Sequence, residues 1–257
     1  MLHGCSGLSE NTRDYPVIIQ VPCCAKPGQV RCFRHYFERT GIASAMWRSG
    51  RDRTIVILGK RGVGKSTTLN YLFGFALATD PAAECTTAPF PQLVTSPLRE
   101  QVRVVDMPGI AATVRSFQRY RRYYRHWLRR ADVVVWITQA NVRAYKQDQI
   151  FFRDFSRYVR PDTRLVLALS KFDTQVDGLG EHQGIAAADR GLLDRKIADV
   201  TAEILPYTWA SGDLVSVVPY SVAKKWNIEQ LRSVIFARAS NLRIDMSGQE
   251  TVNGPIQ

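Results

Sequence analysis

The stretch 58–67, LGKRGVGKST, decides how this chain is built. It places three glycines and two lysines directly after an apolar, β-branched run at 54–58 (TIVIL). Residues 59–66 match the pattern G-x-x-x-x-G-K-[ST], in which backbone N–H groups at a strand–loop–helix junction surround phosphate groups. We therefore predict a phosphate-binding loop. The alternative, a chance match in a glycine-rich turn, is disfavoured by the apolar run before the loop and the helical pattern after it.

Two side chains of this loop carry the predicted chemistry. Lys65 would reach the β- and γ-phosphates of a nucleotide, and the Ser66 hydroxyl would ligate Mg²⁺. The helix that begins here adds a partial positive charge at its N-terminus. The loop residues predicted to contact the nucleotide are Gly59, Gly62, Val63, Gly64, Lys65, Ser66 and Thr67.

Composition allows one well-packed α/β domain in 257 residues. The formal net charge of +12 suits a polyanionic partner such as RNA, a nucleotide or an acidic membrane face. No apolar run approaches the roughly 18 to 20 residues that span a bilayer, and the first residues lack a signal-peptide pattern. The sequence thus predicts a cytoplasmic protein without a transmembrane segment.

Short β-branched runs alternate with helix-like segments after residue 54, a pattern typical of a parallel α/β sheet. The predicted strands cover 54–58, 91–96, 101–106, 131–138, 164–170 and 213–220. The predicted helices cover 65–78, 115–130, 146–159, 192–204 and 227–241. This pattern predicts an N-terminal extension at 1–50, a core domain at 51–243 and a flexible tail at 244–257.

Polar motifs follow three of these strands. Asp106, in the sequence DMPG, is placed to hold Mg²⁺ through water, and the N–H of Gly109 can meet a γ-phosphate. Ligands of open α/β sheets bind at the carboxyl ends of the strands, where these residues lie.

The other two motifs predict which base binds. Ser170-Lys171-Phe172-Asp173 follows the fifth strand, and the Asp173 carboxylate can accept hydrogen bonds from two guanine N–H groups while the lysine stem covers the base. Adenine lacks this pair of donors. After the sixth strand, a backbone N–H of Ser221-Val222 can meet the guanine carbonyl. The order of the motifs predicts GTP as the nucleotide.

Together, GKRGVGKST, the TT of ECTTAP, DMPG, SKFD and YSVAKKWNIEQL resemble the Era-like group of translation-factor-related GTPases over about residues 52–243. The stretch ADVVVWITQANVRAYKQDQIFF also resembles the bacterial YfjP/YeeP-type subgroup. The resemblance implies a three-layer, Ras-like P-loop NTPase fold with a mainly parallel six-stranded sheet. It also implies that GTP is hydrolysed to GDP and phosphate with Mg²⁺.

The resemblance further assigns roles to individual residues. Thr86 or Thr87 is the candidate for the threonine that meets both Mg²⁺ and the γ-phosphate, and Thr87 is favoured because it aligns with the second threonine of the family's TT pair. The predicted catalytic residues are Lys65, Thr87 and Gly109, and the predicted metal ligands are Ser66, Thr87 and Asp106.

Two departures from the family pattern matter. Ser170 stands where the family has the asparagine of NKxD, and we expect it to lose a hydrogen bond that braces the loop and to weaken nucleotide affinity. Ile110 stands where Ras-type enzymes place a glutamine that orients water, which predicts slow hydrolysis by the isolated protein. Gly62 replaces the asparagine that holds K⁺ in some Era-like enzymes, so that route is disfavoured.

A group that replaces the water-orienting glutamine must then come from elsewhere. A partner or a second copy could donate an arginine. Arg61, Arg115 and Arg143 are internal candidates, but each fits a solvated or structural arginine better.

The segment 115–130 carries seven arginines and no acid. Its aromatic residues recur at three- and four-residue steps, which favours a buried aromatic stripe with solvated arginines outside. A partner-binding surface for RNA is the alternative, because arginines and aromatics together bind nucleic acid. Cys23, Cys24, Cys32 and His35 supply zinc-ligand types but fit no common zinc spacing, so the cysteines are interpreted as core or surface thiols rather than as part of a metal site.

Three functional hypotheses remain open. The leading one is a nucleotide-dependent switch whose partner is RNA or the ribosome. The second is a septin- or dynamin-like module in stress or defence that forms a nucleotide-dependent homodimer; the roughly fifty residues before the core favour the small switch over this reading without excluding a nucleotide-bridged dimer. The third is a scaffold that binds GTP without hydrolysis, which the presence of Lys65, Ser66, Asp106 and Asp173 disfavours.

Overall fold

A computed structural model describes residues 53–79, 86–110, 114–176, 179 and 187–239. Only the backbone is described for 114–117 and 187–188. The predicted N-terminal extension, the predicted tail and all five cysteines lie outside the described residues.

The described chain contains six strands in one sheet. The strands are β1 (Arg53–Gly59), β2 (Phe90–Thr95), β3 (Gln101–Asp106), β4 (Val133–Gln139), β5 (Arg164–Ser170) and β6 (Val215–Pro219). Their order across the sheet is β2-β3-β1-β4-β5-β6. β2 runs antiparallel to β3, and the other neighbours are parallel. The predicted mainly parallel six-stranded sheet is thus confirmed, with β2 and β6 as its outer strands and one proline in each, Pro91 and Pro219.

The described residues also form five α-helices. They are α1 (Lys65–Phe73), α2 (Val114–Leu128), α3 (Lys146–Phe155), α4 (Ala187–Ile204) and α5 (Ile228–Ala239). Helix α1 ends five residues before the predicted position because Gly74 adopts the left-handed conformation (φ 66°) and its N–H bonds to the Asn70 carbonyl. Helix α3 is followed by a 3₁₀ turn at Ser156–Tyr158, so the predicted helix to 159 is only partly α-helical.

Alternate residues of the strands bury opposite faces of the sheet, since successive side chains of a strand point to opposite sides. Val56 and Leu58 of β1 pack in one apolar cluster with side chains of α2, α3 and α4. Ile55 and Ile57 pack in a second cluster with α1 and α5. This gives three layers, helices on both faces of one sheet, and brings the carboxyl ends of β1, β3, β4, β5 and β6 to a common edge.

Among the helices of the described residues, none combines the length and the apolar composition of a membrane-spanning segment.

Candidate nucleotide-binding site

The loop between β1 and α1 depends on glycine at two positions. Gly59 has φ 149°, and a Cβ atom there would lie 2.2 Å from the Ile137 carbonyl oxygen of β4. Gly64, directly before α1, has φ 96° and ψ 19°, a left-handed conformation that most side chains disfavour. The loop therefore turns tightly over the sheet and leads into the helix N-terminus, as the sequence motif predicts.

Lys65 lies inside this loop and is only 7% exposed. Its Nζ donates hydrogen bonds to the carbonyl oxygens of Gly59 (3.2 Å) and Lys60 (2.9 Å). Burial lowers the pKa of Lys65 below its ordinary value, although the nearby Asp106 carboxylate opposes this effect. The ammonium group is thus held at the start of α1, where an anionic ligand would compensate its burial.

Asp106 ends β3 and is completely buried. The Thr86 hydroxyl donates to its Oδ2 (2.9 Å), while its Oδ1 has no hydrogen-bond partner among the described residues. Burial raises the pKa of Asp106 to about 6, against the opposing effects of Lys65, Thr86 and the Met107 N–H. A buried, unpartnered carboxylate oxygen costs free energy, so this geometry fits a site completed by a cation.

Hydroxyl oxygens, such as that of Thr86 at Asp106, are among the ligands that Mg²⁺ prefers. Ser66 is half-buried at the first turn of α1. Thr86 bonds directly to Asp106, whereas Thr87 is exposed. No described contact tests the predicted role of Thr87, which stays a prediction.

The DMPG turn packs against the phosphate loop. The Met107 N–H bonds to the Ile57 carbonyl (3.2 Å), and the Ile110 N–H bonds to that of Gly59 (3.1 Å). A Cβ atom at Gly109 would lie 3.1 Å from Arg61 Cα and 3.3 Å from Lys65 Nζ. A side chain at residue 109 would therefore require the loop backbone to shift by a few tenths of an ångström. Ile110 is buried in the apolar core, so its side chain orients no water.

Ser170 corrects one expectation. Its hydroxyl lies 2.7 Å from the Val63 carbonyl oxygen in the phosphate loop and 3.1 Å from that of Thr138. The expected loss of a brace to this loop is wrong, because the serine reaches the loop backbone itself. Lys171, with φ 56°, adds a second tie by donating from Nζ to the Gly62 carbonyl (3.2 Å).

Asp173 lies half-buried in a 3₁₀ turn, Phe172–Thr174. Phe172 anchors this turn, because its ring is fully buried and stacks on Trp226 with ring centroids 5.5 Å apart. The Phe172 N–H also bonds to the Tyr220 carbonyl (3.2 Å). These contacts hold Asp173 beside the loop after β6.

In that loop, the two predicted residues differ. The Ser221 N–H is engaged, because it donates to the Trp226 carbonyl (3.0 Å). In the part of the chain that the structure describes, no partner is seen for the Val222 N–H. A guanine carbonyl would thus meet the N–H of Val222 more readily than that of Ser221.

One feature of the site has no sequence motif. Lys60, inside the phosphate loop, forms an ion pair with Asp148 of α3 (2.5 Å), whose side chain is fully buried. The other Asp148 oxygen accepts from Trp136 Nε1 (3.1 Å), and Lys60 Nζ also donates to the Ala144 carbonyl (3.0 Å). Burial raises the pKa of Asp148, and Lys60 opposes this effect. Because 88 residues separate the pair, only the fold reveals this brace.

Of the candidate arginines, Arg61 and Arg143 are exposed, and the Arg115 side chain lies outside the described residues. Their predicted accessory roles therefore stay predictions.

Residues 54–171 match the model of a protein family described as 50S ribosome-binding GTPase. Two uncharacterized proteins of Escherichia coli strain K12 are also similar. YkfA is 30% identical over 155 residues, which cover 57% of this chain and 50% of YkfA. YfjP is 33% identical over 110 residues, which cover 40% of this chain and 36% of YfjP. The chain contains an Era-like P-loop GTPase domain of the YfjP type.

Solved structures agree with this fold. The GTPase domain is similar to Aquifex aeolicus Era bound to GDP·AlF₄⁻, with a TM-score of 0.55 and 22% identity, over 74% of this chain and 57% of that chain. This chain matches only half of the length of YkfA and about a third of the length of YfjP. What lies in the remainder of these relatives is thus not represented in the match.

Proposed function

We propose that this GTPase domain binds GTP with Mg²⁺ and hydrolyses it to GDP and phosphate, as a nucleotide-dependent switch. The observation that carries the proposal is the pair formed by Lys65 and Asp106. Both are buried beside the phosphate loop, one as an ammonium group and the other as a carboxylate whose Oδ1 has no hydrogen-bond partner among the described residues. A triphosphate and a cation would together compensate both buried groups.

The residues divide the work by their position. Lys65 and the loop N–H groups would neutralise and orient the phosphates, and the Gly109 N–H would meet the γ-phosphate. Ser66, Asp106 and a hydroxyl of the Thr86-Thr87 pair would hold Mg²⁺, which would neutralise phosphate charge when bound. Asp173 and the Val222 N–H would select guanine at the other end.

Slow hydrolysis follows from Ile110. Phosphoryl transfer depends on a positioned water and on neutralising the charge that develops, and a buried isoleucine does neither. We therefore propose that a partner or a second copy of the chain completes the site. An arginine supplied in this way raises the rate by about a thousandfold or more in other GTPases. The cytoplasmic location stays a prediction.

The direct test is a binding panel with fluorescent analogues of GTP, ATP and XTP, with and without Mg²⁺, followed by phosphate release in single and multiple turnover. We expect GTP to bind more tightly than ATP, binding to tighten with Mg²⁺, and turnover to be slow. Equal affinity for ATP, or tight binding that ignores Mg²⁺, would contradict the proposal.

A second measurement separates the two sources of the missing group. Specific activity is followed across protein concentration together with molecular mass. If activity rises as dimers form, a second copy supplies the group. If a monomer keeps constant low activity, dimerisation is excluded as the source and an outside partner is required.

A further inference from the structure

Four arginines surround one tyrosine on the surface formed by α2 and the turn after α3. We call Arg121, Arg125, Arg129 and Arg157, together with Tyr158, the arginine cluster. The guanidinium carbons of Arg125, Arg129 and Arg157 lie 5.1, 5.2 and 5.0 Å from the Tyr158 ring centroid. Burial alone would raise the pKa of Tyr158, but the hydrogen bond from Arg157 and the charges of Arg157, Arg125 and Arg121 leave it below its ordinary value.

The charge of this cluster is not balanced nearby. All four arginines are exposed, and none forms an ion pair with a carboxylate among the described residues. Arg121 and Arg125 are four residues apart on α2, and Arg129 directly follows its last residue, so like charges lie close together and destabilise this end of the helix. A polyanion bound here would offset that repulsion.

The chemistry of the cluster favours nucleic acid among polyanions. The α2 sequence contains no lysine, and guanidinium groups bind phosphate through two parallel hydrogen bonds and stack on bases. An exposed aromatic residue is tied to the same segment: Tyr207 is 41% exposed, and its backbone carbonyl accepts from the hydroxyl of Ser156, the neighbour of Arg157. Single-stranded bases stack on such rings.

The same surface is poorly suited to a membrane. Apart from Tyr207, the exposed large apolar side chains of the described residues are only Tyr71 and Leu98, on α1 and in the loop after β2. Peripheral membrane helices instead present a continuous apolar face. On α2 the apolar side chains point inward, since Tyr120, Tyr124 and Leu128 are buried.

A buried hydrogen bond connects the cluster to the nucleotide site. The Tyr124 hydroxyl, one residue from Arg125, lies 3.2 Å from the Pro108 carbonyl and 3.3 Å from that of Gly109. The Tyr124 ring also packs edge-on against Phe155, which contacts Tyr158. A shift of the DMPG turn on γ-phosphate binding would therefore move α2 and the end of α3 together.

We propose that the arginine cluster and Tyr207 bind single-stranded nucleic acid, and that Tyr124 makes this binding depend on the nucleotide at the phosphate loop. The second half rests on the proposed function. The first half stands on the surface alone and can be tested without GTP.

The experiment uses the full chain and fluorescein-labelled oligouridine and oligothymidine of about twenty nucleotides. Affinity is measured between about 50 and 200 mM salt. The double variant Arg125→Ala/Arg129→Ala should lose about tenfold in affinity, and its salt slope should fall by about one to two. The matched double variant Arg190→Ala/Arg195→Ala, which removes two exposed arginines from α4, should change affinity less than about twofold.

Tyr207→Ala tests the stacking contact. It should weaken single-stranded binding about fivefold or more but leave duplex binding nearly unchanged, because a duplex offers no free base face. Tighter binding of oligouridine would identify RNA as the natural ligand, and tighter binding of oligothymidine would identify DNA. Equal losses in both double variants, binding to neither oligonucleotide, or binding only to vesicles rich in anionic lipid would overturn the assignment.

The link to the nucleotide site is tested at saturating GTP analogue and at saturating GDP. The wild-type affinities for the oligonucleotide should differ by about fivefold or more, and the oligonucleotide should change nucleotide affinity by the same factor. In Tyr124→Phe, the nucleotide should no longer change oligonucleotide affinity and the oligonucleotide should no longer change nucleotide affinity, so both ratios should be close to one. Identical wild-type affinities in both states would overturn the link. If no nucleotide binds at all, the proposed function fails, and the measurements on the nucleotide-free chain still decide the surface.

Discussion

The two ends of the candidate site are built differently. At the phosphate end, charged groups are themselves buried: Asp106 is fully enclosed and Lys65 nearly so. At the guanine end, Lys171 is exposed and Asp173 half-buried, and the buried parts are the neutral rings of Phe172 and Trp226. Under the proposed function, phosphate binding would rely on desolvated charge, which is costly without the ligand, whereas base selection would rely on polar groups held in place by apolar packing.

The largest expected effect is at the phosphate end. Lys65→Ala should weaken binding of GTP and GDP by about a hundredfold or more, because truncating one member of a desolvated charge pair costs about 2 to 5 kcal/mol. Titration with a fluorescent GTP analogue checks this loss. Lys171→Ala, which removes an exposed lysine at the opposite end, should cost clearly less. Equal losses for the two variants would break the contrast between the ends.

The second effect concerns selectivity. Asp173→Asn should lower GTP affinity by about ten- to hundredfold, since hydrogen bonds to a charged group contribute about 1.5 to 3 kcal/mol. It should raise XTP affinity, because the amide donates where the carboxylate only accepts. Competition between GTP and XTP measures both changes. Asp194→Asn, an exposed site on α4, is the control, and a variant at residue 173 that still prefers GTP would remove Asp173 from the site.

The third effect depends on pH and arises from Asp106. Burial raises the pKa of Asp106 to about 6, so the folded, nucleotide-free protein binds this proton more tightly than the unfolded chain does. The resulting contribution to stability is complete below about pH 4 and is lost as the pH rises through 6. Mg²⁺ needs the carboxylate, so the gain in GDP affinity on adding Mg²⁺ should fall about tenfold per pH unit below 6. Paired titrations with Mg²⁺ and with EDTA between pH 5 and 8 are the measurement. A pH-independent ratio would exclude Asp106 as a metal ligand.

The fourth effect separates stability from binding at the buried ion pair. Asp148→Asn keeps the shape but leaves Lys60 without its charged partner, so the free energy of unfolding should fall by about 1 to 2 kcal/mol, less than for a fully enclosed pair because Lys60 is 16% exposed. GTP affinity should drop several-fold as the loop loosens. Urea unfolding and nucleotide titration check both changes. Asp154→Asn, on the same helix but half-exposed, should change neither.

The smallest effect is expected at the neutral brace. Ser170→Ala removes the hydroxyl that contacts the Val63 carbonyl and should cost about 1 kcal/mol of stability. The accompanying loss of GTP affinity should be no more than about fivefold, since 1.4 kcal/mol corresponds to tenfold. Ser156→Ala deletes a similar serine-to-carbonyl bond far from the loop and should leave affinity unchanged. A larger effect on affinity than that of Asp148→Asn would show that the neutral brace dominates.

The sequence predicted the parts of the site that lie in local motifs. The loop at 59–66, the acid that ends β3 and the turn around Asp173 each combine a strand end with a polar motif, so position and chemistry could be inferred together. The buried aromatic side of α2 followed from helical spacing, and Tyr120, Tyr124 and Leu128 confirm it.

The braces could not be inferred in this way. The pairing of Lys60 with Asp148 depends on how α3 lies against the loop, and no spacing within the chain encodes that distance. The serine at 170 was wrongly expected to lose its contact, because a comparison of residue types ignores how closely the Val63 carbonyl approaches. The helix at 65–78 was predicted too long because an apolar pattern continues beyond Gly74 while the backbone does not.

The prolines of the outer strands bear on self-association. Pro91 in β2 and Pro219 in β6 have no N–H to donate to an added strand. Hydrogen bonding along each outer edge of the described sheet is therefore interrupted at these residues. A neighbouring molecule could not easily continue the sheet from either side. If two copies of this chain associate, side chains and loops, rather than strand addition, should form their contact.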